Sequence, residues 1–250
     1  MKITIIQSDI AWARPAANRE RLDAVLASSA DTDLIVLPEM FSTGFATEPR
    51  GIAESDDSDT LRWMRDRARR YNCAVAGSVA VNTAETFVNR FYFVKPTGEV
   101  THYDKHHLFT YGGEDRCFTA GQDKVTVAWR GVRIRLLVCY DLRFPVWSRN
   151  NAAEPYDLAL YVASWPASRV EAWDTLLRAR AIENQCYVAG INRVGDDPAC
   201  HYCGSSAVID PYGRVAAACG RETEGTASAV VDMEALAAFR SKFPVLTDAD

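Results

Sequence analysis

No segment of this chain is apolar for long enough to cross a bilayer, and residues 1–10 hold no cationic stretch leading into an apolar core and a cleavage site. A membrane span and a secretory leader are therefore not expected. Basic residues are no more plentiful than acidic ones: 28 Lys and Arg stand against 33 Asp and Glu, a net charge of −5, which argues against a nucleic-acid partner. The local run of Arg62, Arg65, Arg67, Arg69 and Arg70 is interleaved with Leu61, Trp63, Met64 and Ala68, as on the solvated face of a helix. Cys200-His201-Tyr202-Cys203 has the spacing of half a zinc knuckle. No second Cys-x-x-Cys or His pair accompanies it, and a structural zinc wants four ligands, so an ordinary loop is expected there.

What is present suits one α/β domain covering residues 1–250, of a size that buries roughly 70–75% of its unfolded surface. The seven cysteines, Cys73, Cys117, Cys139, Cys186, Cys200, Cys203 and Cys219, are odd in number and scattered. That suits a reducing cytoplasm better than a disulfide framework. Strand and helix signals alternate. Strands are expected at 2–7, 73–81, 87–95, 157–163 and 186–192, with helices at 17–29, 58–71 and 170–185 and a short one from about 145. Pro211-Tyr212-Gly213 marks a hairpin between 205–210 and 214–219.

The reactive candidate is Cys139. It ends the apolar run Val132-Arg133-Ile134-Arg135-Leu136-Leu137-Val138 and opens a polar turn, the place where an α/β protein lifts a side chain into a crevice. Alone, a strand-end cysteine is more often a small buried hydrophobe. Two further strand ends change the balance: Glu39 follows Leu34-Ile35-Val36-Leu37-Pro38, and Lys105 follows Val100-Thr101-His102-Tyr103-Asp104. A thiol of pKa roughly 8.5 is only about 3% ionised at neutral pH, so it needs a base, and a carboxylate supplies one. An ammonium favours the thiolate and holds the oxyanion formed on attack at an amide carbonyl. The same carboxyl group then protonates the departing nitrogen. Carboxylate, ammonium and thiol together suit acyl transfer from an amide.

The segments Leu37-Pro38-Glu39-Met40-Phe41, Tyr103-Asp104-Lys105-His106-His107-Leu108-Phe109, Gly113-Glu114-Asp115-Arg116-Cys117-Phe118-Thr119-Ala120-Gly121 and Cys139-Tyr140-Asp141-Leu142-Arg143-Phe144-Pro145 occur in the order of the nitrilase, or carbon–nitrogen hydrolase, superfamily, which the chain resembles from about residue 2 to 244. The resemblance implies a four-layer αββα sandwich, a Glu39-Lys105-Cys139 triad with Glu114 as second active-site glutamate, an oxyanion site completed by the Tyr140 backbone N–H, no metal or organic cofactor, and a homodimer joined through outer helices. Ala163-Ser164-Trp165-Pro166-Ala167-Ser168-Arg169 and the tail from Phe239 to Asp250 are similar to omega-amidases, which hydrolyse the terminal amide of 2-oxoglutaramate or 2-oxosuccinamate. Ser164 departs from the Asn that many of these proteins carry, which leaves the substrate open. A carbamoylase, an aliphatic amidase and a repair hydrolase for a deaminated thiol metabolite stand as alternatives. So does a non-catalytic scaffold, against which the intact triad argues.

A small acid with a carboxylate opposite its amide wants a cation, and Arg143, four residues past Cys139, is the candidate. Phe41, Phe45, Tyr111 and Trp165 are expected to wall the pocket, although such aromatics also serve as core. His106 and His107 are expected to be supporting groups and neither base nor metal ligand.

Overall fold

The structure, a computed structural model, describes residues 1–29 and 31–248. Ala249 and Asp250, the end of the omega-amidase-like tail, lie outside the described residues. In chain order the elements are β1 (Lys2–Gln7), α1 (Pro15–Ala27), β2 (Leu34–Val36), β3 (Glu54–Ser55), α2 (Asp59–Tyr71), β4 (Ala74–Asn82), β5 (Phe87–Val94), β6 (Val100–Asp104), β7 (Thr126–Trp129) and β8 (Val132–Val138). There follow α3 (Pro145–Ser148), β9 (Leu158–Val162), α4 (Val170–Glu183), β10 (Tyr187–Ile191), β11 (Val194–Asp196), β12 (His201–Cys203), β13 (Ala207–Ile209), β14 (Val215–Ala218), β15 (Gly225–Val230) and α5 (Met233–Lys242).

One sheet runs β15-β1-β2-β4-β5-β6, with β3 on β4; a second runs β14-β13-β10-β9-β8-β7. β1, β2 and β4 are mutually parallel, as are β8, β9 and β10. Strand alternation sorts side chains between two cores. Ile3 and Ile5 of β1 join Phe91, Phe93, Ile134 and Leu136 between the sheets, whereas Ile6 faces outward onto Leu22 and Leu26 of α1 and Leu61, Met64 and Ala68 of α2. On the far side, Trp173 and Leu177 of α4 cover β10, where Gly190 has no room for a Cβ: one built there would lie 2.4 Å from Leu177. Helices on both outer faces of two stacked sheets make the expected αββα sandwich.

Local chemistry fixes the helix ends. Ser58 caps α2, its Oγ accepting from Leu61 N at 3.1 Å, and Asn72 closes the helix in the left-handed region at φ 49°. The arginines of α2 are solvated as expected, with Arg67 reaching across to Asp23 of α1. α5 is capped by Asp232, which accepts from Ala235 N. In the β13–β14 turn Gly213, at φ 80°, donates its N–H to Asp210 O at 2.9 Å, the hairpin that Pro211-Tyr212-Gly213 signals. Among the described residues no helix is long and apolar enough to cross a membrane.

Candidate active site

Four strands end at one place. β2 leads through Leu37 and Pro38 to Glu39, β6 ends one residue before Lys105, β8 ends one residue before Cys139, and β9 leads through Ala163 to Ser164. Carboxyl ends of parallel strands are where open α/β sheets receive ligands. Glu39, Lys105 and Glu114 are fully buried. Lys105 Nζ donates to Glu39 Oε1 at 3.0 Å and to Glu114 Oε2 and Oε1 at 2.8 and 3.1 Å. Glu39 Oε2 accepts the Ser164 backbone N–H at 2.8 Å, and Glu114 Oε2 accepts that of Phe109 at 2.6 Å. The bond from residue 164 comes from its main chain, so it does not depend on which side chain stands there.

Burial works against the Lys105 ammonium, but the Glu114 and Glu39 carboxylates more than offset it and hold the group charged. Glu114 moves the other way: burial pushes its carboxyl up, opposed by Lys105. Burial also pushes the Cys139 thiol well up, reinforced by the Glu39 charge and opposed by Lys105. The resting sulfur is therefore a neutral thiol. Its ionisation has to accompany proton uptake by a neighbour.

Cys139 itself is held in the left-handed region at φ 44°, a conformation that costs a non-glycine residue about 1–3 kcal/mol and survives only where neighbours impose it. The neighbour is Asp141. This fully buried carboxylate accepts from Val138 N at 2.9 Å, Tyr103 OH at 2.7 Å and His107 N at 3.0 Å, and pairs with His107 Nδ1 at 2.8 Å. His107 stacks on Phe144, and His106 stacks on Trp147, whose Nε1 donates to Tyr103 OH. Both histidines thus brace the turn, the supporting part expected of them.

Above this floor opens a cavity of about 550 Å³, to which Cys139, Phe45, Tyr111, Tyr140, Arg143 and Trp165 all contribute. The Arg143 guanidinium lies 4.9 Å above the Trp165 ring, and that of Arg169 lies 5.4 Å above Phe109. Phe45 packs against the buried cation, its ring centroid 5.2 Å from Lys105 Nζ. For Phe41 the expectation is wrong. The chain reverses at Met40, φ 44°, and sends Phe41 to the outer face of the sheet, 5.9 Å from the Trp63 ring and against Gly77, where a Cβ would lie 2.9 Å from its ring. It is core, not pocket wall. Cys200 lines the cavity, whereas Cys203 is buried at the end of β12 outside it, so the segment is part of a hairpin and not the expected loop. Among the described residues no cluster of three or more His, Cys, Asp or Glu gathers as a metal site.

Three supporting residues are not singled out from the sequence, although two of them, Asp141 and Arg169, lie in segments that carry the resemblance. Asn89 donates from Nδ2 to Glu39 Oε1 at 2.8 Å and to Glu114 Oε1 at 3.2 Å. Asp141 is the second. Arg169, half-buried in the cavity wall, is the third. A polar residue inside the apolar strand β5 is the one hint that points to Asn89.

An αββα sandwich with a thiol, a carboxylate and an ammonium gathered at one end of its sheets has the architecture of an amide-cleaving hydrolase. The chain belongs to the carbon-nitrogen hydrolase family, whose profile matches residues 2–241. It is 49% identical to the omega-amidase YafV of Escherichia coli, over all of this chain and 97% of that protein. It is 35% identical to the 2-oxoglutaramate amidase of Bacillus subtilis, over 98% of this chain and 96% of that one. Among solved structures, a CN-hydrolase superfamily protein of Xanthomonas campestris with an arsenic adduct in its active site is 43% identical, with a TM-score of 0.97 over 100% of this chain and 97% of that one. An amidase of Nesterenkonia sp. AN1, in which acrylamide has added to the active-site cysteine, is 25% identical, with a TM-score of 0.84 over 98% of both chains.

Proposed function

We propose that this protein hydrolyses the terminal amide of a small 2-oxo acid amide, 2-oxoglutaramate or 2-oxosuccinamate, to ammonia and the free acid through a thioester on Cys139. One observation carries the reading: a buried Glu39–Lys105–Glu114 cluster underlies a reactive-position thiol in a cavity that also holds Arg143. Among the described residues the Arg143 guanidinium has no ion pair or hydrogen bond, which suits a substrate carboxylate taken in two parallel bonds. The omega-amidase and 2-oxoglutaramate amidase relatives support the same substrate.

In this mechanism Glu39 takes the Cys139 proton as sulfur attacks the amide carbon. Lys105 and the Tyr140 backbone N–H hold the tetrahedral oxyanion. Glu39 returns the proton to the leaving ammonia, and the thioester is then opened by a water that Glu39 deprotonates and Glu114 helps to orient. No step asks for a cofactor. Phe45, Tyr111 and Trp165 supply apolar walls. The same reading makes residues 1–250 one hydrolase domain, paired as a homodimer in the cytoplasm; cysteines free of disulfides agree with that compartment.

The test is a panel of 2-oxoglutaramate, 2-oxosuccinamate, glutamine, N-carbamoyl amino acids and aliphatic amides, scored by ammonia release. The 2-oxo acid amides are expected to lead, with an acyl adduct on Cys139 seen by mass spectrometry. Cys139→Ala is expected to abolish turnover while melting as the native protein does. Full activity in that folded variant would remove the assignment.

A further inference from the structure

Lys105 is asked to do two things. It neutralises Glu39 and Glu114 at rest, and in the reaction it donates to the substrate oxyanion. An ammonium has three N–H groups and no more. The two oxygens of one carboxylate lie too close together to take separate N–H groups of a tetrahedral ammonium, so the contacts of Lys105 Nζ to Glu39 Oε1 and to both Glu114 oxygens occupy two N–H groups and leave the third for the oxyanion. Where that third N–H points is set by where Glu39 and Glu114 hold the ammonium, so both carboxyl groups have to stay in place as charge develops on the substrate oxygen.

Asn89 stands beside the two oxygens concerned. Its Nδ2 reaches Glu39 Oε1 and Glu114 Oε1, both also held by Lys105 Nζ. Its backbone carbonyl accepts the Lys105 main-chain N–H at 2.9 Å, so the strand pairing of β5 also sets where the lysine begins. The amide orientation is forced, because turning it over would aim a carbonyl at two carboxylates. Among the described residues Asn89 Oδ1 has no hydrogen-bond partner, so the amide is oriented by what its Nδ2 reaches.

We propose that Asn89 is a positioning residue that fixes Glu39 Oε1 and Glu114 Oε1 and through them directs the third N–H of Lys105 to the oxyanion. This rests on the roles given above to Glu39, Lys105 and Cys139. Asn89 touches neither substrate nor sulfur in this scheme and moves no proton. It holds the two carboxyl groups so that one ammonium can serve both of them and the oxyanion together.

The experiment compares Asn89→Leu with the native protein in two reactions. Hydrolysis of 2-oxoglutaramate builds an oxyanion. Alkylation of Cys139 by iodoacetamide displaces iodide at a saturated carbon and builds none. Expected is a fall in kcat of about 10- to 100-fold, somewhat less than the ~100- to 1000-fold typical of deleting a direct oxyanion donor, with KM and the alkylation rate unchanged. Unchanged kcat would overturn the proposal. Parallel losses in hydrolysis and alkylation would also overturn it, since Asn89 would then merely support the base or the fold. Should Asn89→Leu not fold, Asn89→Ser, smaller and too short to span both glutamates, is put through the same comparison, and the same two results would overturn the proposal there. Failure of the underlying reading looks different: the native protein itself would then turn over no amide and show no preferential alkylation at Cys139.

Discussion

The floor and the rim of one cavity are built on opposite principles. On the floor, Glu39, Asn89, Lys105, Glu114 and Asp141 are wholly buried and tied to one another or to main chain. At the rim, Tyr111 is 85% exposed, and among the described residues the Arg143 and Arg169 guanidiniums touch aromatic faces with no carboxylate partner. The floor is complete before substrate arrives, which is what electrostatic stabilisation of a transition state requires. The rim is unfinished in the sense that, among the described residues, its cations lack anions, and in the proposed reading a substrate carboxylate completes it. A floor residue should therefore couple activity to stability, and a rim residue should not.

The largest break in that contrast comes from Lys105→Met. The substitution keeps the stem and removes the cation, leaving Glu39 and Glu114 buried together with no ammonium between them. Stripping one partner from a buried pair typically costs about 3–5 kcal/mol. Urea unfolding should show a loss of that order, and turnover should vanish with it. An enzyme equally stable without the Lys105 charge would mean that the two carboxylates already share a proton.

Glu39→Gln sharpens the picture through pH. With Glu39 as the proposed base, Cys139 alkylation in the native protein should depend only weakly on pH near neutrality. In Glu39→Gln the thiol has to ionise unaided, and burial, the leading cause of its upward shift, is still there. The sign follows: a raised thiol is protonated at neutral pH and loses its proton only as pH climbs past the ordinary thiol range. Iodoacetamide kinetics should thus be slow at neutral pH and keep rising through the alkaline limb. A plateau near neutrality in that variant would assign the proton acceptor elsewhere.

How much of this is legible in the sequence depends on what each residue's neighbours along the chain reveal. Glu39 and Cys139 each follow an apolar strand and Lys105 follows the more polar strand β6, so strand ends are enough to bring them to one sheet edge. Glu114 needs the family pattern. Asn89 leaves little local trace because its work is done at a distance, bonding Glu39 from 50 residues away. Asp141, although it lies in the nucleophile segment and caps Val138 N nearby, also bonds Tyr103 from 38 residues away. Phe41 reads as pocket wall because adjacency to Glu39 says nothing about the left-handed turn at Met40 that separates them. β15 is not expected because Gly225-Thr226-Ala227-Ser228-Ala229-Val230 is too weakly apolar to read as a strand until β1 is there to pair with it. α5 does have a readable signal, Asp232 ahead of an Ala- and Leu-rich run, which the family likeness of the tail overshadows.

The smallest effects belong to the rim, and they are where the contrast is tested most finely. Arg143→Gln removes a charge from a half-buried position while keeping part of the length and some donor capacity of the side chain. A hydrogen bond to a charged group is worth about 1.5–3 kcal/mol, so kcat/KM for 2-oxoglutaramate should fall roughly 10- to 100-fold, with no change for an uncharged aliphatic amide. Tyr111→Ala should do less still. Its ring is mostly in solvent, its removal should alter stability by no more than about 0.5 kcal/mol, and any rise in KM should leave kcat alone. Melting curves and a two-substrate comparison read all of this. If either variant melts early, or loses kcat equally on charged and uncharged amides, the rim is part of the floor's scaffold, and selectivity for the acid has to come from elsewhere in the cavity, with Arg169 on its Phe109 face the next cation to question.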